Sequence, residues 1–391
     1  MLVFFIHGVA TRDVNYAETL KNLIKEEFLL RNQTIPHFRS SFWGNVLRDV
    51  DKMWNWIEQD LQDFKKDNPQ SNLDDIFRYK KFREGFLSQF IGDVLTYLNS
   101  DCGAEIRKII AQDLYKFIQK HSSETELHIV AHSLGTVILW DVLFSDRFNP
   151  KDPAFYIREL INGLAKSDTI KKVTLKSITT LGSPILFLNT MLAVKPEQIH
   201  NFAANYQDAP FQWINIIHSS DIIAYPIRAS LNLKPSNHLI FRDEYISDDA
   251  NPLEKAARSL GQIDAAMALG MTDAHVGYFK SHKTTRFILE NLLGSANSSL
   301  LDLVISRLQK VRGITKDEMQ LSRRTLMDET LVELNLKDGS GMLRFCVNPL
   351  KIYHVYVFDS KGVCKYVGYV GWIDALELKQ EIELIKNKYL H

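Results

Sequence analysis

One junction constrains the fold of this chain more than any other feature: an apolar run that passes abruptly into a helical run. Residues 127–131 (LHIVA) have the composition of a buried strand, and residues 136–143 (TVILWDVL) have that of a buried helix. Only residues 132–135 (HSLG) separate the two. A strand that enters a helix through so tight a turn is typical of the sheet of an α/β fold.

The same turn presents a serine in a position suited to nucleophilic attack. So sharp a turn strains the backbone at Ser133 and requires small residues two positions away on either side, which Ala131 and Gly135 supply. It lifts the hydroxyl clear of the sheet and directs the Leu134 amide, at the start of a helix, toward an oxyanion. The alternative interpretation is an ordinary strand-to-helix turn in which Ser133 only caps the helix.

A second apolar run opens the sequence and ends in His7-Gly8. It predicts another buried strand, followed by a helix over about 16–30. The loop after such a strand supplies a second oxyanion-binding N–H, which we assign to Val9, while Gly8 leaves room for a substrate carbonyl. We interpret His7 as a strand-end residue bonded to nearby backbone, which shapes this loop.

Two later segments offer a carboxylate and an imidazole. Asp221 lies just past an apolar strand at 212–218, where catalytic groups of open α/β sheets collect. His275 precedes a helix expected over about 284–293, and the chain order Ser, Asp, His is that of one class of serine hydrolases. Asp221 as a mere turn residue is the alternative. The remaining candidates are Asp208, Asp248 and Asp249 for the acid, and His218, His238 and His282 for the base.

Over about residues 1–295 the chain resembles the α/β-hydrolase superfamily, in particular its lipase/esterase-like members. The residues that carry the resemblance are His7-Gly8, Ala131-His132-Ser133-Leu134-Gly135, Leu181-Gly182-Ser183-Pro184, Asp221 and His275. The resemblance implies a mostly parallel sheet flanked by helices. Because the sequence starts directly on the strand before His-Gly, we expect a sheet trimmed at the N-terminus by two strands. Gly92–Leu98 adds a weaker similarity to intracellular phospholipase-A1-like hydrolases, which suggests a lipid ester as substrate.

An unusual insertion covers residues 44–98. Apolar residues recur there at helical spacing on both sides of a turn at 68–72, which predicts two amphipathic helices. We interpret them as a lid whose aromatic face lines an apolar substrate pocket. The alternative is a helical layer that only packs on the sheet. The aromatic residues expected on the lid are Trp54, Phe77, Phe82 and Phe86.

Composition places few demands on partners. The 391 residues include 47 Lys+Arg and 47 Asp+Glu, so the net charge is zero and offers no footprint for nucleic acid. Three scattered cysteines predict neither a disulfide framework nor a zinc site, and no cofactor or metal is expected. The first residues already form a core strand and no apolar run is long enough to span a bilayer, so we expect a cytoplasmic protein without a transmembrane segment.

A small polar cluster at 294–299 predicts a domain boundary. Residues 300–391 are expected to form a small α+β domain, with an oligomerisation or partner-docking role. Its predicted helices are Leu300–Arg312, Lys316–Leu336 and Ile373–Tyr389, and its predicted strands are Leu343–Val347, Ile352–Phe358 and Val363–Val370.

The sequence therefore predicts a serine hydrolase that cleaves a carboxylic ester. Ser133 would be the nucleophile, His275 the base and Asp221 the residue that orients it, with the Leu134 and Val9 amides as oxyanion hole. The substrate would be a small-molecule or lipid ester. A catalytically silent hydrolase fold used for binding, an acyltransferase and a serine peptidase are the alternatives.

Overall fold

The computed structural model describes most of the chain up to residue 293 and the strands of a second sheet beyond it. The described residues are 1–8, 11, 13–30, 33–46, 50–78, 80, 83, 88–162, 173–233, 238–246, 251–293, 319–322, 330–335, 341–347 and 353–369.

A six-stranded sheet with the order β2-β1-β3-β4-β5-β6 forms the centre of the first part. Every neighbouring pair in it is parallel. Its inner strands are almost wholly buried, as expected where helices cover both faces. The strands are β1 Leu2–Ile6, β2 His37–Ser40, β3 Glu126–His132, β4 Thr174–Leu181, β5 Phe211–His218 and β6 Leu239–Ile246.

Helices connect these strands and confirm the α/β class. The α-helices are α1 Glu18–Leu30, α2 Val50–Asp67, α3 Leu73–Ile76, α4 Ser88–Leu98, α5 Ser100–Lys120, α6 Leu134–Phe144, α7 Pro153–Asn162, α8 Ile185–Leu192, α9 Pro196–Ala203, α10 Pro252–Ser259, α11 Ile263–Gly277 and α12 His282–Leu293. Short 3₁₀ turns occur at Gly44–Val46 and Tyr278–Lys280.

The core explains why α6 is apolar on all sides. Alternate residues of β1, such as Leu2, Phe4 and Ile6, point into one apolar cluster that also takes in most of α6. Every residue of α6 is buried. Asn291 of α12 donates hydrogen bonds to two groups of β4, the Ile178 carbonyl (2.7 Å) and the Thr179 hydroxyl (2.8 Å). Asn291 thus fastens α12 to the middle of β4.

Helix boundaries differ from the sequence prediction near the candidate base. Two helices, α10 and α11, meet near Gly261 (φ +72°). The second helix continues to Gly277, so His275 lies in the last turn of a helix.

The chain forms two compact units. The first comprises Met1–Leu23 and Pro36–Leu292, and the second comprises Ile24–Ile35 and Leu293–His391. The sequence prediction placed residues 1–295 in the first domain and residues 300–391 in the second, and that division stays a prediction.

The C-terminal unit contains an antiparallel sheet with the order β11-β10-β9-β8-β7. Its strands are β7 Met319–Ser322, β8 Thr330–Asn335, β9 Gly341–Val347, β10 Tyr353–Asp359 and β11 Cys364–Tyr369. The helix predicted over Lys316–Leu336 is wrong, because β7 and β8 occupy that range and pair with each other. The helices predicted at Leu300–Arg312 and Ile373–Tyr389 lie outside the described residues. Within the described residues, no helix combines the length and the hydropathy needed to cross a membrane.

Candidate active site

Ser133 occupies the turn between β3 and α6 in a strained conformation. Its φ of +53° and ψ of −126° are unusual for a residue with a side chain. Its amide still donates to the Leu181 carbonyl of β4 (2.9 Å), so the sheet continues to the residue where the turn begins. Thr136, in the first turn of α6, donates to the Ser133 carbonyl from both its amide (2.9 Å) and its hydroxyl (2.6 Å). The strain is therefore fixed by hydrogen bonds on both sides.

Two glycines let the backbone close around this turn. A Cβ atom on Gly135 would lie 2.5 Å from the His7 carbonyl oxygen and 2.6 Å from that of Ile6, which is closer than real contacts allow. A Cβ atom on Gly8 would lie 2.3 Å from Ser133 Cβ. The requirement for a small residue at position 135 therefore comes from the approach of α6 to the end of β1.

The structure brings the three residues predicted as a triad into one hydrogen-bonded chain. His275 Nε2 lies 2.8 Å from Ser133 Oγ, and His275 Nδ1 lies 2.9 Å from Asp221 Oδ2. Asp221 follows β5, and its Oδ1 accepts a hydrogen bond from the Ile223 amide (3.2 Å). Each side chain comes from a different segment at the carboxyl edge of the sheet, as the parallel topology requires.

The chain of hydrogen bonds is shielded from water. Ser133 is 0%, His275 4% and Asp221 5% exposed. Burial by itself raises the pKa of Asp221, but the charge and hydrogen bond of His275, with a hydrogen bond from Tyr278, outweigh it and leave that pKa below its ordinary value. Asp221 is therefore an anion at neutral pH. As an acceptor it fixes the proton of the neutral imidazole on Nδ1 and leaves Nε2 free to accept from Ser133.

The sequence analysis gave no role to two residues beside Ser133, His275 and Asp221. His132 lies with its Nε2 2.6 Å from the His275 carbonyl oxygen, so Nε2–H donates and anchors the end of α11. Burial, followed by the proximity of His275, lowers the pKa of His132 to about 3. Tyr278 donates from its hydroxyl to Asp221 Oδ2 (2.9 Å). No periodicity singles out either residue, because their partners are distant in sequence.

The Leu-Gly-Ser-Pro segment has a structural explanation at this site. Gly182 adopts a φ of +58°, and a Cβ atom there would lie 2.9 Å from Asp221 Oδ2 and 3.2 Å from His275 Cε1. Ser183 is fully buried, and its hydroxyl lies 2.8 Å from that of Thr136. Gly182 thus gives the acid and base room to meet, and Ser183 links the end of β4 to the start of α6.

Leu134, one of the two predicted oxyanion-hole donors, belongs to the described residues. Leu134 is the first residue of α6, so its N–H has no partner within the helix. Val9 lies outside the described residues. His7 Nε2 accepts from the Trp43 amide (3.0 Å), and its Nδ1 lies 2.8 Å from the Gly8 carbonyl oxygen, which it must therefore donate to. His7 is thus bonded to backbone, as the sequence interpretation proposed.

The alternative acids and bases lie in other surroundings. Asp208 is exposed, and His238 Nδ1 bonds the Tyr206 carbonyl oxygen (2.9 Å). His218 Nδ1 accepts from the Ser220 amide (3.1 Å). His282 is the first residue of α12. Asp248 and Asp249 lie outside the described residues.

The described part of the predicted lid contains the helices α2, α3 and α4, with a non-helical segment at 68–72. Trp54 of α2 is buried, with its ring 6.2 Å from that of Phe77. A cavity of about 190 Å³ lies beside this pair, lined by Glu58, Leu61, Gln62, Leu73, Asp74, Phe77 and Lys80. Phe82 and Phe86 lie outside the described residues. Contact of Trp54 or its neighbours with substrate stays a prediction.

The described residues contain no cluster of three or more His, Cys, Asp or Glu side chains arranged to hold a metal ion. Comparison of the sequence with models of known protein families and with curated proteins found no match in either set. The geometry of Ser133, His275 and Asp221 therefore carries the functional argument by itself.

Proposed function

We propose that this protein is a serine hydrolase of the α/β-hydrolase type that cleaves a carboxylic ester through an acyl-enzyme on Ser133. The observation that carries the proposal is the continuous hydrogen-bonded chain from Ser133 Oγ through His275 to Asp221 Oδ2. A serine hydroxyl is a weak nucleophile unless an adjacent base accepts its proton. Here the base is within hydrogen-bond reach, and a buried anion holds it in the correct tautomer.

The first half of the reaction forms the acyl-enzyme. Ser133 Oγ attacks the ester carbonyl carbon while its proton passes to His275 Nε2. Asp221 stabilises the resulting imidazolium through Nδ1–H. The oxyanion accepts a hydrogen bond from the Leu134 amide, and Val9 is the proposed second donor; losing one such donor costs about 3 kcal/mol of transition-state stabilisation. His275 then gives the proton to the departing alcohol.

The second half releases the acid and restores the enzyme. Water replaces the alcohol, gives a proton to His275 Nε2 and attacks the acyl carbon, after which Ser133 Oγ takes the proton back. Acyl transfer differs only in that an alcohol or thiol takes the place of water. A small-molecule or lipid ester remains the proposed substrate class.

Labelling with a fluorophosphonate tests the proposal directly. We expect the wild-type protein to be labelled at Ser133, and Ser133→Ala to lose both labelling and ester hydrolysis. Ser183→Ala is the matched control, since Ser183 is equally buried but bonded to Thr136 and not to a base. Retained turnover in Ser133→Ala would remove Ser133 from the mechanism. An unlabelled, folded wild-type protein would favour a silent hydrolase fold used for binding.

A panel of p-nitrophenyl esters of graded chain length, assayed beside phospholipids, narrows the substrate. We expect Trp54→Ala to change the chain-length preference if the lid lines the acyl pocket. Analysis of the products with an added alcohol or thiol separates hydrolysis from acyl transfer.

A further inference from the structure

Tyr278, which the mechanism above does not use, makes a second hydrogen bond to the carboxylate that faces the base. Its hydroxyl lies 2.9 Å from Asp221 Oδ2, the same oxygen that lies 2.9 Å from His275 Nδ1. One carboxylate oxygen therefore accepts from both an imidazole and a phenol. Any change in one of these donors alters the charge available to the other.

The direction of each hydrogen bond at Tyr278 is fixed by its neighbours. The His218 amide donates to the Tyr278 hydroxyl oxygen (2.8 Å). Burial, followed by the charge of Asp221, raises the pKa of Tyr278 well above its ordinary value, so the phenol keeps its proton. With the amide already donating to the oxygen, the single phenolic proton is directed at Asp221.

The fold is shaped to place this ring. Tyr278 is fully buried and follows His275 by three residues, where α11 gives way to a 3₁₀ turn, so one turn of chain delivers both donors to Asp221. A Cβ atom on Gly182 would lie 2.9 Å from Tyr278 Cε2, as close as from Asp221 Oδ2. The absence of a side chain at Gly182 therefore admits the phenol ring beside the carboxylate.

We propose that Tyr278 is a positioning residue of this site: its hydroxyl holds Asp221 Oδ2 beside His275 and takes up part of the carboxylate's charge. The phenol thereby keeps the proton affinity of His275 lower than an unshared carboxylate would make it. This inference rests on the proposed function for its role in catalysis, but its effect on His275 can be measured without substrate.

Three other titratable side chains lie around Tyr278 and His275, namely His132, His218 and Glu254. The His132 ring lies 4.8 Å from that of His275, and with its pKa lowered to about 3 by burial it is neutral near neutral pH. The His218 ring lies 6.2 Å from that of Tyr278 and accepts at Nδ1 from the Ser220 amide, which requires that nitrogen to be unprotonated. Glu254 accepts from the Ser220 hydroxyl (2.9 Å) on the loop that leads to Asp221.

Titration of His275 by NMR in wild type and Tyr278→Phe tests the proposal. We expect the pKa of His275 to rise by about half a pH unit in Tyr278→Phe, since the imidazolium then faces an unshared carboxylate. Tyr97→Phe is the matched control: Tyr97 is equally buried and its hydroxyl donates to Asp141 Oδ2 (2.6 Å). That variant loses the same kind of bond and should leave His275 unchanged.

A second substitution covers the case in which Tyr278→Phe does not fold, since it leaves the His218 amide without its acceptor. Replacing Tyr278 by 3-fluorotyrosine keeps the ring and strengthens the donor, and we expect the pKa of His275 to fall. In both variants the acid limb of kcat/KM should move with the NMR value. An unchanged His275 titration, a shift in the opposite direction, or an equal shift in Tyr97→Phe would overturn the inference. Absence of fluorophosphonate labelling would instead refute the proposed function and leave the NMR result standing.

Discussion

The two buried aspartates Asp221 and Asp141 differ in the side chains that donate hydrogen bonds to them. Asp141 belongs to α6, and Asp221 follows β5 and bonds the histidine that contacts Ser133, just before α6. Asp221 accepts hydrogen bonds from the Tyr278 hydroxyl and from His275 Nδ1. Asp141, near the C-terminus of α6, accepts hydrogen bonds from the Tyr97 hydroxyl (2.6 Å) and from the guanidinium of Arg147 (2.6 and 2.9 Å). Each carboxylate thus accepts a hydrogen bond from a buried tyrosine, but Asp141 faces a guanidinium whereas Asp221 faces an imidazole.

That difference separates an ion pair that is permanent from one that can form during a reaction. Arg147 keeps its proton at any working pH, so the Asp141 pair cannot exchange one. An imidazole, unlike a guanidinium, can accept and release a proton during a reaction, and Asp221 is placed to stabilise the charge that His275 would gain. A buried carboxylate that is bonded to a tyrosine and an arginine can only stabilise the fold. A buried carboxylate that is bonded to a tyrosine and a histidine can also assist the transfer of a proton.

Asp221→Asn should have the largest effect on activity. The amide no longer stabilises the imidazolium and favours the wrong tautomer of His275, so kcat/KM should fall by about 10³- to 10⁴-fold. The unfolding free energy should change by only about 1 kcal/mol, because an amide oxygen can still accept from Tyr278. Steady-state kinetics and urea denaturation measure the two quantities. Activity within a few-fold of wild type would contradict the proposed role of Asp221 in stabilising the imidazolium of His275.

Asp141→Asn should show the opposite pattern. Arg147 would face a neutral partner, and the unfolding free energy should fall by about 3 kcal/mol, as for other broken buried ion pairs. Activity per folded molecule should be unchanged, which active-site titration with a fluorophosphonate can normalise. A specific loss of kcat without loss of stability would show that the two ends of α6 are not functionally distinct.

Gly182→Ala sharpens the comparison at the triad itself. The new Cβ would press on Asp221 and His275, and we expect kcat to fall by about 10- to 100-fold as the two lose their alignment. Gly261→Ala is its control, because Gly261 also has a positive φ (+72°) but nothing within 4 Å of the added Cβ. The control should lose about 1 kcal/mol of stability from backbone strain and keep its activity. Equal kinetics in the two variants would contradict the assigned role of Gly182.

His128 provides the smallest expected effect on activity and tests burial in a histidine that has no proposed role in the reaction. Burial lowers its pKa to about 3 from an ordinary 6.5, and its Nδ1 lies 2.7 Å from the Ser177 hydroxyl. Between these values the unfolded chain binds a proton that the folded protein does not. Stability is therefore complete above pH 6.5 and declines as pH falls toward 3, by up to about 1.4 kcal/mol per pH unit.

Urea denaturation of His128→Asn at several pH values checks this expectation. The variant should lose less stability on acidification than wild type, by about the contribution of one histidine, and its kcat should not change. Identical pH dependence in the two proteins would mean that folding does not lower the pKa of His128.

The meeting of Ser133, His275 and Asp221 could be predicted from sequence because parallel strands bring the residues that follow them to one edge. Ser133 and Asp221 each follow a recognisable apolar strand, and chain order then selected His275. Tyr278 and Gly182 could not be assigned roles in this way. The spacing of His275 and Tyr278 has meaning only if the helix reaches Gly277, and the Ala-rich composition of α11 hides its periodicity.

The wrong helix at Lys316–Leu336 has a related cause. The segment is rich in residues that favour helices, but β7 and β8 form through cross-strand pairing, such as Leu321 with Val332. Pairing partners of this kind override local propensity and leave only a weak signal in either strand.

The bond between His275 and Ser133 joins positions 142 residues apart, and that between His275 and Asp221 joins positions 54 residues apart. No fragment of the first unit that lacks any of strands β3 to β5 can hold all the reacting atoms in register. Turnover would therefore report on the integrity of the whole sheet. A refolding chain should regain it only at the last, most non-local step of assembly, well after its helices have formed.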